Sequence, residues 1–224
     1  MHMEERVKKD FIVIGGGLSG ICAAVAAARN GIKVALVHDR PVPGGNSSSE
    51  IRAWAHGATA YGCNRYAEET GIIGELEMEN IYRNPEGNPH IWDTILLDCI
   101  KREKNIGLYL NTHITEVETE GTKIKSVTGF RMGSESRFRF EAPLFADATG
   151  DGTVGFLAGA FYMKGRESRD LYGESLAPEK SDGRTLGSTL FFYVKDTGKN
   201  VRYIPPAFAY TKEQIESILP PDRL

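Results

Sequence analysis

This chain of 224 residues has few cysteines, no long apolar run and no large excess of either charge. The three cysteines, Cys22, Cys63 and Cys99, are widely spaced with no C-x-x-C pair, which argues against a disulfide scaffold, a zinc site and a dithiol redox centre. The 27 basic residues are matched by 30 acidic ones, so the charge indicates no nucleic-acid partner. No apolar run approaches the roughly 20 residues that span a bilayer, and the first apolar stretch is too short and too soon broken by glycine to be expected as a signal peptide. We therefore expect a soluble, cytoplasmic protein with no membrane partner and no metal site.

Residues 11–39 organise the chain, because they predict a strand, a tight turn, a helix and a second strand in that order. The apolar residues Phe11 to Ile14 run directly into a G-x-G-x-x-G motif. Gly15 suits the tight turn, Gly17 lets backbone approach a diphosphate, and Gly20 lets the helix lie close to the sheet. Since the positive end of the helix faces the turn, the unit predicts dinucleotide binding. The alternative is a glycine-rich turn kept only for packing.

The adenosine ribose contact in such units is an acidic residue at the end of the second strand. That strand is predicted to end at Val37, so His38 falls at the expected position and Asp39 follows it. An imidazole can donate to or accept from a hydroxyl, whereas a one-residue bulge would bring the Asp39 carboxylate round instead. Both contacts stay open, as does the interpretation that both residues are solvated.

A second glycine pair, Gly44-Gly45, lies in the segment that follows, after two prolines and before the small polar residues Asn46 to Ser49. These residues offer hydroxyls, an amide and main-chain N–H groups. We interpret the segment as a second phosphate or flavin contact. A disordered serine linker is the alternative, but prolines would hardly frame it and apolar residues would hardly follow it at once.

Titratable side chains cluster in residues 50–66, where small and aromatic residues indicate the wall of a pocket. Glu50, Arg52, His56 and Arg65 are the candidates for acid–base or anion-binding roles. We expect Arg52 to hold a substrate anion and His56 or Glu50 to move a proton. The alternative for each is a structural hydrogen bond or ion pair.

Two helices are predicted in the middle of the chain. Residues 68–83 predict one that is interrupted near Gly71 and Gly74. Asn88-Pro89 predicts the cap and first residue of the second, an amphipathic helix with Asp93 outside its apolar stripe.

An antiparallel meander is predicted for residues 107–146, because short alternating runs are separated there by turn residues. It leads to an apolar strand that ends in Asp147-Ala-Thr-Gly150, and a small-residue helix follows. Bare backbone between a strand and a helix is where open α/β sheets bind ligands. We expect Asp151 to cap the helix that starts at Gly152, or else to bond a hydroxyl.

Together, the glycine motif, segment 39–50, the inserted meander and Asp147-Ala-Thr-Gly-Asp-Gly resemble the FAD-dependent oxidoreductases of the glutathione reductase-like superfamily. Within it the chain is similar to the group related to fumarate reductase and succinate dehydrogenase flavoproteins. The similarity covers about residues 10–165. It implies FAD as cofactor and an α/β, Rossmann-like fold of three layers, with a central parallel sheet and an inserted antiparallel meander.

The resemblance also implies a set of cofactor contacts, and His38 departs from it because most relatives carry Glu there. The implied contacts are Gly15, Gly17, Leu18, Ser19 and Gly20 at the diphosphate turn, His38, Asp39 and Arg40 near the ribose, Gly44, Gly45, Asn46, Ser47 and Ser48 on the flavin side, the backbone of Ile114 at the adenine, and Ala148, Thr149, Gly150 and Asp151 beside the adenosine half.

We expect residues 1–165 to form the FAD-binding domain and residues 166–224 to begin a substrate or cap domain, as in a fragment of a longer enzyme. Three functions stay open. The first is an FAD-dependent oxidoreductase that exchanges hydride equivalents with a small organic substrate. The second is an NAD-binding dehydrogenase, against which the meander argues. The third is a catalytically silent nucleotide-binding remnant.

Overall fold

The computed structural model describes residues 4–53, 55, 69–187, 194–202 and 204–218. Its contacts divide the chain into two units, Met1–Leu186 and Gly187–Leu224. The predicted domain boundary near residue 165 stays a prediction. His56 and Arg65, together with most of the apolar run at 188–194, lie outside the described residues. Within the described part, no helix combines the length and apolar character needed to cross a bilayer.

The first unit contains two four-stranded sheets. Their strands are β1 (Glu4–Lys8), β2 (Phe11–Ile14), β3 (Val34–Val37), β4 (Ile106–Tyr109), β5 (Thr112–Glu120), β6 (Lys123–Arg131), β7 (Ser136–Glu141) and β8 (Leu144–Asp147). One sheet is parallel with the order β4-β3-β2-β8, and the other has the order β1-β7-β6-β5.

The parallel sheet is buried on both faces, as its uninterrupted apolar strands require. Val13 and Leu36 pack into one core, and Ile12 and Val37, on the opposite face, pack into another. Helices cover the first face and the second sheet covers the other. The predicted three-layer α/β fold with a central parallel sheet is therefore confirmed.

The helical layer consists of α1 (Leu18–Arg29), α2 (Gly71–Arg83) and α3 (Pro89–Arg102). Helix α2 begins at Gly71, and the predicted interruption at Gly74 is wrong, because the helix runs through this residue. A Cβ at Gly74 would lie 2.7 Å from the Glu69 carbonyl oxygen, so this glycine permits a close backbone approach instead of a break. Helix α3 begins as predicted, with the Asn88 side chain accepting the His90 N–H.

The predicted meander corresponds to β5, β6 and β7, which pair antiparallel, while β4 and β8 at its two ends belong to the parallel sheet. Strand β1 is an addition to the prediction and pairs parallel to β7, from Glu4 beside Arg137 to Lys8 beside Glu141. Only Val7 of β1 is buried. With one apolar residue in five, the segment has no alternating pattern, so its strand depends on the partner strand.

Three short helices follow: α4 (Thr153–Leu157), α5 (Arg169–Tyr172) and, in the second unit, α6 (Lys212–Ile218). Helix α6 begins with a reciprocal cap, in which the Thr211 N–H donates to Gln214 Oε1 at 2.8 Å and the Gln214 N–H donates to Thr211 Oγ at 3.3 Å. The sequence Thr-x-x-Gln predicts this capping box.

Candidate functional site

A cavity of about 530 Å³ opens where β2, β3 and β8 end, at the carboxyl edge of the parallel sheet. This is the edge at which open α/β sheets bind ligands, and the volume is that of a small-molecule site. Five chain segments form its wall: the turn after β2, the residues after β3, the second glycine pair with the residues that follow it, the start of β5 and the loop after β8.

The turn after β2 has the geometry that its glycines predict. Gly15 has φ +106°, and a Cβ there would lie 2.2 Å from the carbonyl oxygen of Ala148. A Cβ at Gly20 would lie 1.8 Å from the Gly15 carbonyl oxygen, so the start of α1 packs directly on the turn. The β8 loop and the start of α1 therefore both contact Gly15.

Gly17 differs from these two glycines because a Cβ there would meet no atom within 4 Å. It precedes α1, and Gly17, Leu18 and Ser19 all line the cavity. The first N–H groups of a helix have no acceptor within that helix, and the first turn of α1 carries no acidic side chain. The arrangement suits an anion placed at the helix end.

The second glycine pair lies directly on the first glycine turn. The Gly44 N–H donates to the Gly16 carbonyl oxygen at 2.7 Å, and a Cβ at Gly45 would lie 3.1 Å from Gly17 Cα. Both glycines of the pair have positive φ, at +119° and +56°. Two bare backbone segments thus meet at the cavity, and a side chain at Gly45 would press against Gly17.

Residues 38–40 continue from β3 into the cavity wall. The His38 N–H donates to the Tyr109 carbonyl oxygen at 2.8 Å, and the His38 carbonyl oxygen accepts the Thr112 N–H at 2.8 Å. The Asp39 and Arg40 side chains are about half exposed, at 52% each, and both residues line the cavity. Backbone pairing therefore fixes their position beside the start of β5.

The His38 imidazole is turned inward. Its Nδ1 accepts the Gly16 N–H at 3.0 Å, and the residue is 5% exposed. Its Nε2 is enclosed and makes no hydrogen bond to the described residues. Burial lowers the pKa of His38 below its ordinary value and outweighs the Asp39 carboxylate and the Val42 carbonyl, which act in the opposite direction.

Helix α3 supports the second glycine pair from beneath. Asp93 Oδ1 accepts the Ser49 N–H at 2.8 Å, and Trp92 Nε1 donates to Ser47 Oγ at 3.2 Å. A Cβ at Gly44 would lie 2.8 Å from Leu96 Cδ1. The prediction that Asp93 lies outside the packed face is wrong, because the residue is 7% exposed. The sequence indicates this burial only through the position of Asp93 at the edge of the apolar stripe of α3.

The cavity brings together most of the predicted cofactor contacts, with two exceptions. Gly20 lies behind the turn, and Ser48 is fully buried beneath its loop, where its Oγ accepts the Glu50 N–H at 3.3 Å. The predicted contacts that line the cavity are Gly15, Gly17, Leu18, Ser19, His38, Asp39, Arg40, Gly44, Gly45, Asn46, Ser47, Ile114, Ala148, Thr149, Gly150 and Asp151.

The predicted cap of α4 by Asp151 is wrong. Gly152 adopts φ +64°, and the cap position makes no side-chain hydrogen bond. The Thr153 N–H donates instead to Thr149 Oγ at 2.8 Å, because the left-handed turn carries the chain back towards that hydroxyl. Thr149 Oγ in turn donates to Asp147 Oδ1 at 2.6 Å, and this pair stabilises the loop after β8.

The predicted catalytic residues separate in the structure. Glu50 lines the main cavity, and its carboxylate lies 3.9 Å from the Arg40 guanidinium. Arg52 has φ +62° and lines a second cavity of about 110 Å³ between its loop and the α2–α3 connection. Ser47 borders both cavities. His56 lies outside the described residues. No cluster of potential metal ligands occurs in the described ranges.

A family model described as FAD dependent oxidoreductase matches residues 10–220. Among solved structures, the chain is similar to L-proline dehydrogenase from P. horikoshii, with 21% identity, 67% of this chain and 24% of that chain covered, and a TM-score of 0.40. It is also similar to quinol fumarate reductase from E. coli, with 14% identity, 65% of this chain and 33% of that chain covered, and a TM-score of 0.46. A third similar structure is p-nitrophenol 4-monooxygenase from Pseudomonas putida, with 15% identity, 71% of this chain and 45% of that chain covered, and a TM-score of 0.48. The chain thus spans less than half the length of each of these structures.

Proposed function

Because the chain belongs to the family of FAD-dependent oxidoreductases, as its motifs predict, we propose that the cavity binds FAD across the two glycine turns. The observation that carries this proposal is the contact between two bare backbone segments beside the open N-terminus of α1. A dinucleotide needs such an approach at its diphosphate, where side chains would hold it away.

The diphosphate lies against Gly17, Leu18 and Ser19 in this proposal, and the flavin side follows Gly45, Asn46 and Ser47. The adenine meets the backbone of Ile114, and the adenosine half lies beside the loop at Ala148 to Gly150. These groups line one continuous cavity. Arg40 is a basic side chain of that wall and balances negative charge on the cofactor.

Asp39, not His38, takes the ribose in this proposal. The Nε2 of His38 is enclosed and its Nδ1 is already engaged by Gly16, so a ribose hydroxyl would have to displace packed groups to reach the imidazole. The Asp39 carboxylate is half exposed on the cavity wall and can accept hydrogen bonds from hydroxyls without rearrangement.

Replacing Asp39 by Asn should raise the FAD dissociation constant about tenfold, because a charge-assisted hydrogen bond to a hydroxyl becomes a neutral one. Fluorescence titration of the apoprotein with FAD measures this. Asp98→Asn on the exposed side of α3 is the matched control and should titrate like the parent chain. An unchanged dissociation constant for Asp39→Asn would rule out its ribose contact.

Bound flavin supplies the transfer of hydride equivalents to or from a small organic substrate. The chain itself supplies binding and orientation. Glu50 is the proposed proton carrier, because its carboxylate lies on the cavity wall beside the flavin-side residues. Arg52 is the proposed anion-binding residue from the adjoining smaller cavity, and His56 keeps its predicted role as an alternative proton carrier. Residues 166–224 begin the substrate or cap domain.

The visible absorption spectrum tests the proposed function. Protein purified under native conditions, or apoprotein titrated with FAD, should show flavin bands that saturate at one FAD per chain. Titration with NADH under the same conditions is the control. Binding of NADH without FAD would favour the NAD-dependent dehydrogenase. Saturable FAD binding without substrate-dependent bleaching would favour the catalytically silent remnant, and no FAD binding at all would overturn the proposal.

A further inference from the structure

The backbone of Gly16 is held from two sides at the contact between the glycine turns. Its N–H donates to His38 Nδ1 at 3.0 Å, and its carbonyl oxygen accepts the Gly44 N–H at 2.7 Å. A Cβ at Gly16 would lie 2.7 Å from the imidazole Cγ, so the ring packs directly against this residue. The imidazole therefore fixes the position of the Gly16 backbone, and with it the turn that leads to Gly17.

The hydrogen bond specifies one state of the imidazole. A neutral ring has one acceptor nitrogen and one N–H, whereas the imidazolium donates from both nitrogens. Since Nδ1 accepts from Gly16, the proton of the neutral ring must be on Nε2. A second proton on Nδ1 would place two N–H donors against each other and push Gly16 away from the ring.

We propose that His38 is a positioning residue for the cofactor, whose neutral, Nε2-protonated imidazole holds the Gly16 peptide so that the turn fits the diphosphate. This inference rests on the proposed FAD site. In this role His38 does not contact the ribose, because it acts on the cofactor through the backbone of Gly16. The predicted consequence is that protonating His38 releases FAD.

The charged groups that face the imidazole are Asp39, Glu50 and Arg40, with Asp39 Oδ1 at 3.4 Å from Nδ1. Burial dominates these groups and lowers the pKa of His38 below its ordinary value near 6.5. The neutral ring thus persists at neutral pH. Stability from this group is complete above about pH 6.5 and is lost as the pH falls through the pKa of the folded state. FAD affinity should follow the same direction.

Three variants separate the positioning role from a general packing role. In His38→Asn the side-chain oxygen stands the same number of bonds from Cα as Nδ1, so it can accept the Gly16 N–H but does not titrate. In His38→Leu the acceptor is absent. His90→Asn is the matched control, because His90 is an exposed histidine on α3.

FAD dissociation constants measured by fluorescence between pH 5 and pH 8 give the first readout. The parent chain and His90→Asn should lose up to about tenfold in affinity per pH unit below the His38 pKa, since one proton is taken up on release. His38→Asn should lack this loss while staying within a few fold of the parent at pH 7.5. His38→Leu should bind about tenfold more weakly than the parent does at pH 7.5, with no further loss at lower pH, because the buried N–H loses its acceptor.

The second readout needs no cofactor. Nitrogen-15 NMR of the apoprotein should show His38 as the Nε2-protonated tautomer, titrating below its ordinary range. This measurement uses the parent chain, so it does not depend on whether a variant folds. An Nδ1-protonated tautomer, or the same pH profile in the parent and His38→Asn, would overturn the positioning role and leave FAD binding intact. Failure of the parent to bind FAD at any pH would instead overturn the proposed function, and the positioning role with it.

Discussion

Replacing Gly15 by Ala should unfold or severely weaken the nucleotide-binding half of the chain. The new Cβ would lie 2.2 Å from the Ala148 carbonyl oxygen, in a backbone conformation with φ +106° that L-residues rarely adopt. Backbone strain and overpacking together should lower the free energy of unfolding by about 2 to 6 kcal/mol. Urea denaturation followed by circular dichroism measures this loss, and retained FAD measures its effect on the site.

Gly17→Ala is the control, two residues away on the same turn. Its φ is −69°, and its Cβ would meet no protein atom within 4 Å, so the unfolding midpoint should stay near that of the parent. FAD affinity should nevertheless fall, because the methyl group would occupy the space through which a diphosphate approaches. Normal FAD affinity in Gly17→Ala would contradict the assigned position of the diphosphate, and normal stability in Gly15→Ala would contradict the contact with the β8 loop.

Replacing Asp93 by Ala should have the second largest effect. The change removes the acceptor of the Ser49 N–H from a nearly buried position between α3 and the second glycine pair. An unsatisfied N–H of this kind lowers the free energy of unfolding by about 1 to 3 kcal/mol. FAD affinity should fall as well, because the loop that carries Asn46 and Ser47 loses its support.

Two other substitutions on the same helix test the specificity of this effect. Asp93→Asn keeps one acceptor oxygen and should fall between the parent and Asp93→Ala in both thermal stability and FAD titration. Asp98→Ala removes only exposed ion pairs with Arg83 and Arg102 and should leave both measurements unchanged. Equal losses in Asp93→Ala and Asp98→Ala would show that helix charge, not the Ser49 hydrogen bond, is responsible.

The nucleotide-binding unit was predictable because its signals are local. Strand β2, the glycine turn, α1 and β3 follow one another, and their apolar spacing changes from strand to helix and back within the chain itself. The same holds for the Asn88 cap of α3, the meander and the capping box at Thr211. Each depends on residues within a few positions of one another, so each was present in the sequence before any tertiary contact was considered.

The local signals misled where the tertiary environment reversed a preference. Gly74 disfavours a helix interior, but the backbone of Glu69 approaches it so closely that a side chain could not be accommodated. The acidic side chain of Asp93 favours solvent, but a main-chain N–H of a distant loop gives it a buried partner. Strand β1 has one buried residue and exists only because β7 offers an edge.

By itself, the sequence determined the parallel core, because glycine spacing and apolar periodicity restrict the backbone locally, and its resemblance to FAD-dependent oxidoreductases indicated the family and the cofactor class. Only the tertiary structure decided that Gly44 meets Gly16, that His38 turns inward while Asp39 faces the cavity, and that α3 supports the loop at Ser49. The physical reason is that these contacts join segments 22 to 44 residues apart. A hydrogen bond across such a separation depends on how the layers pack, which no local pattern encodes.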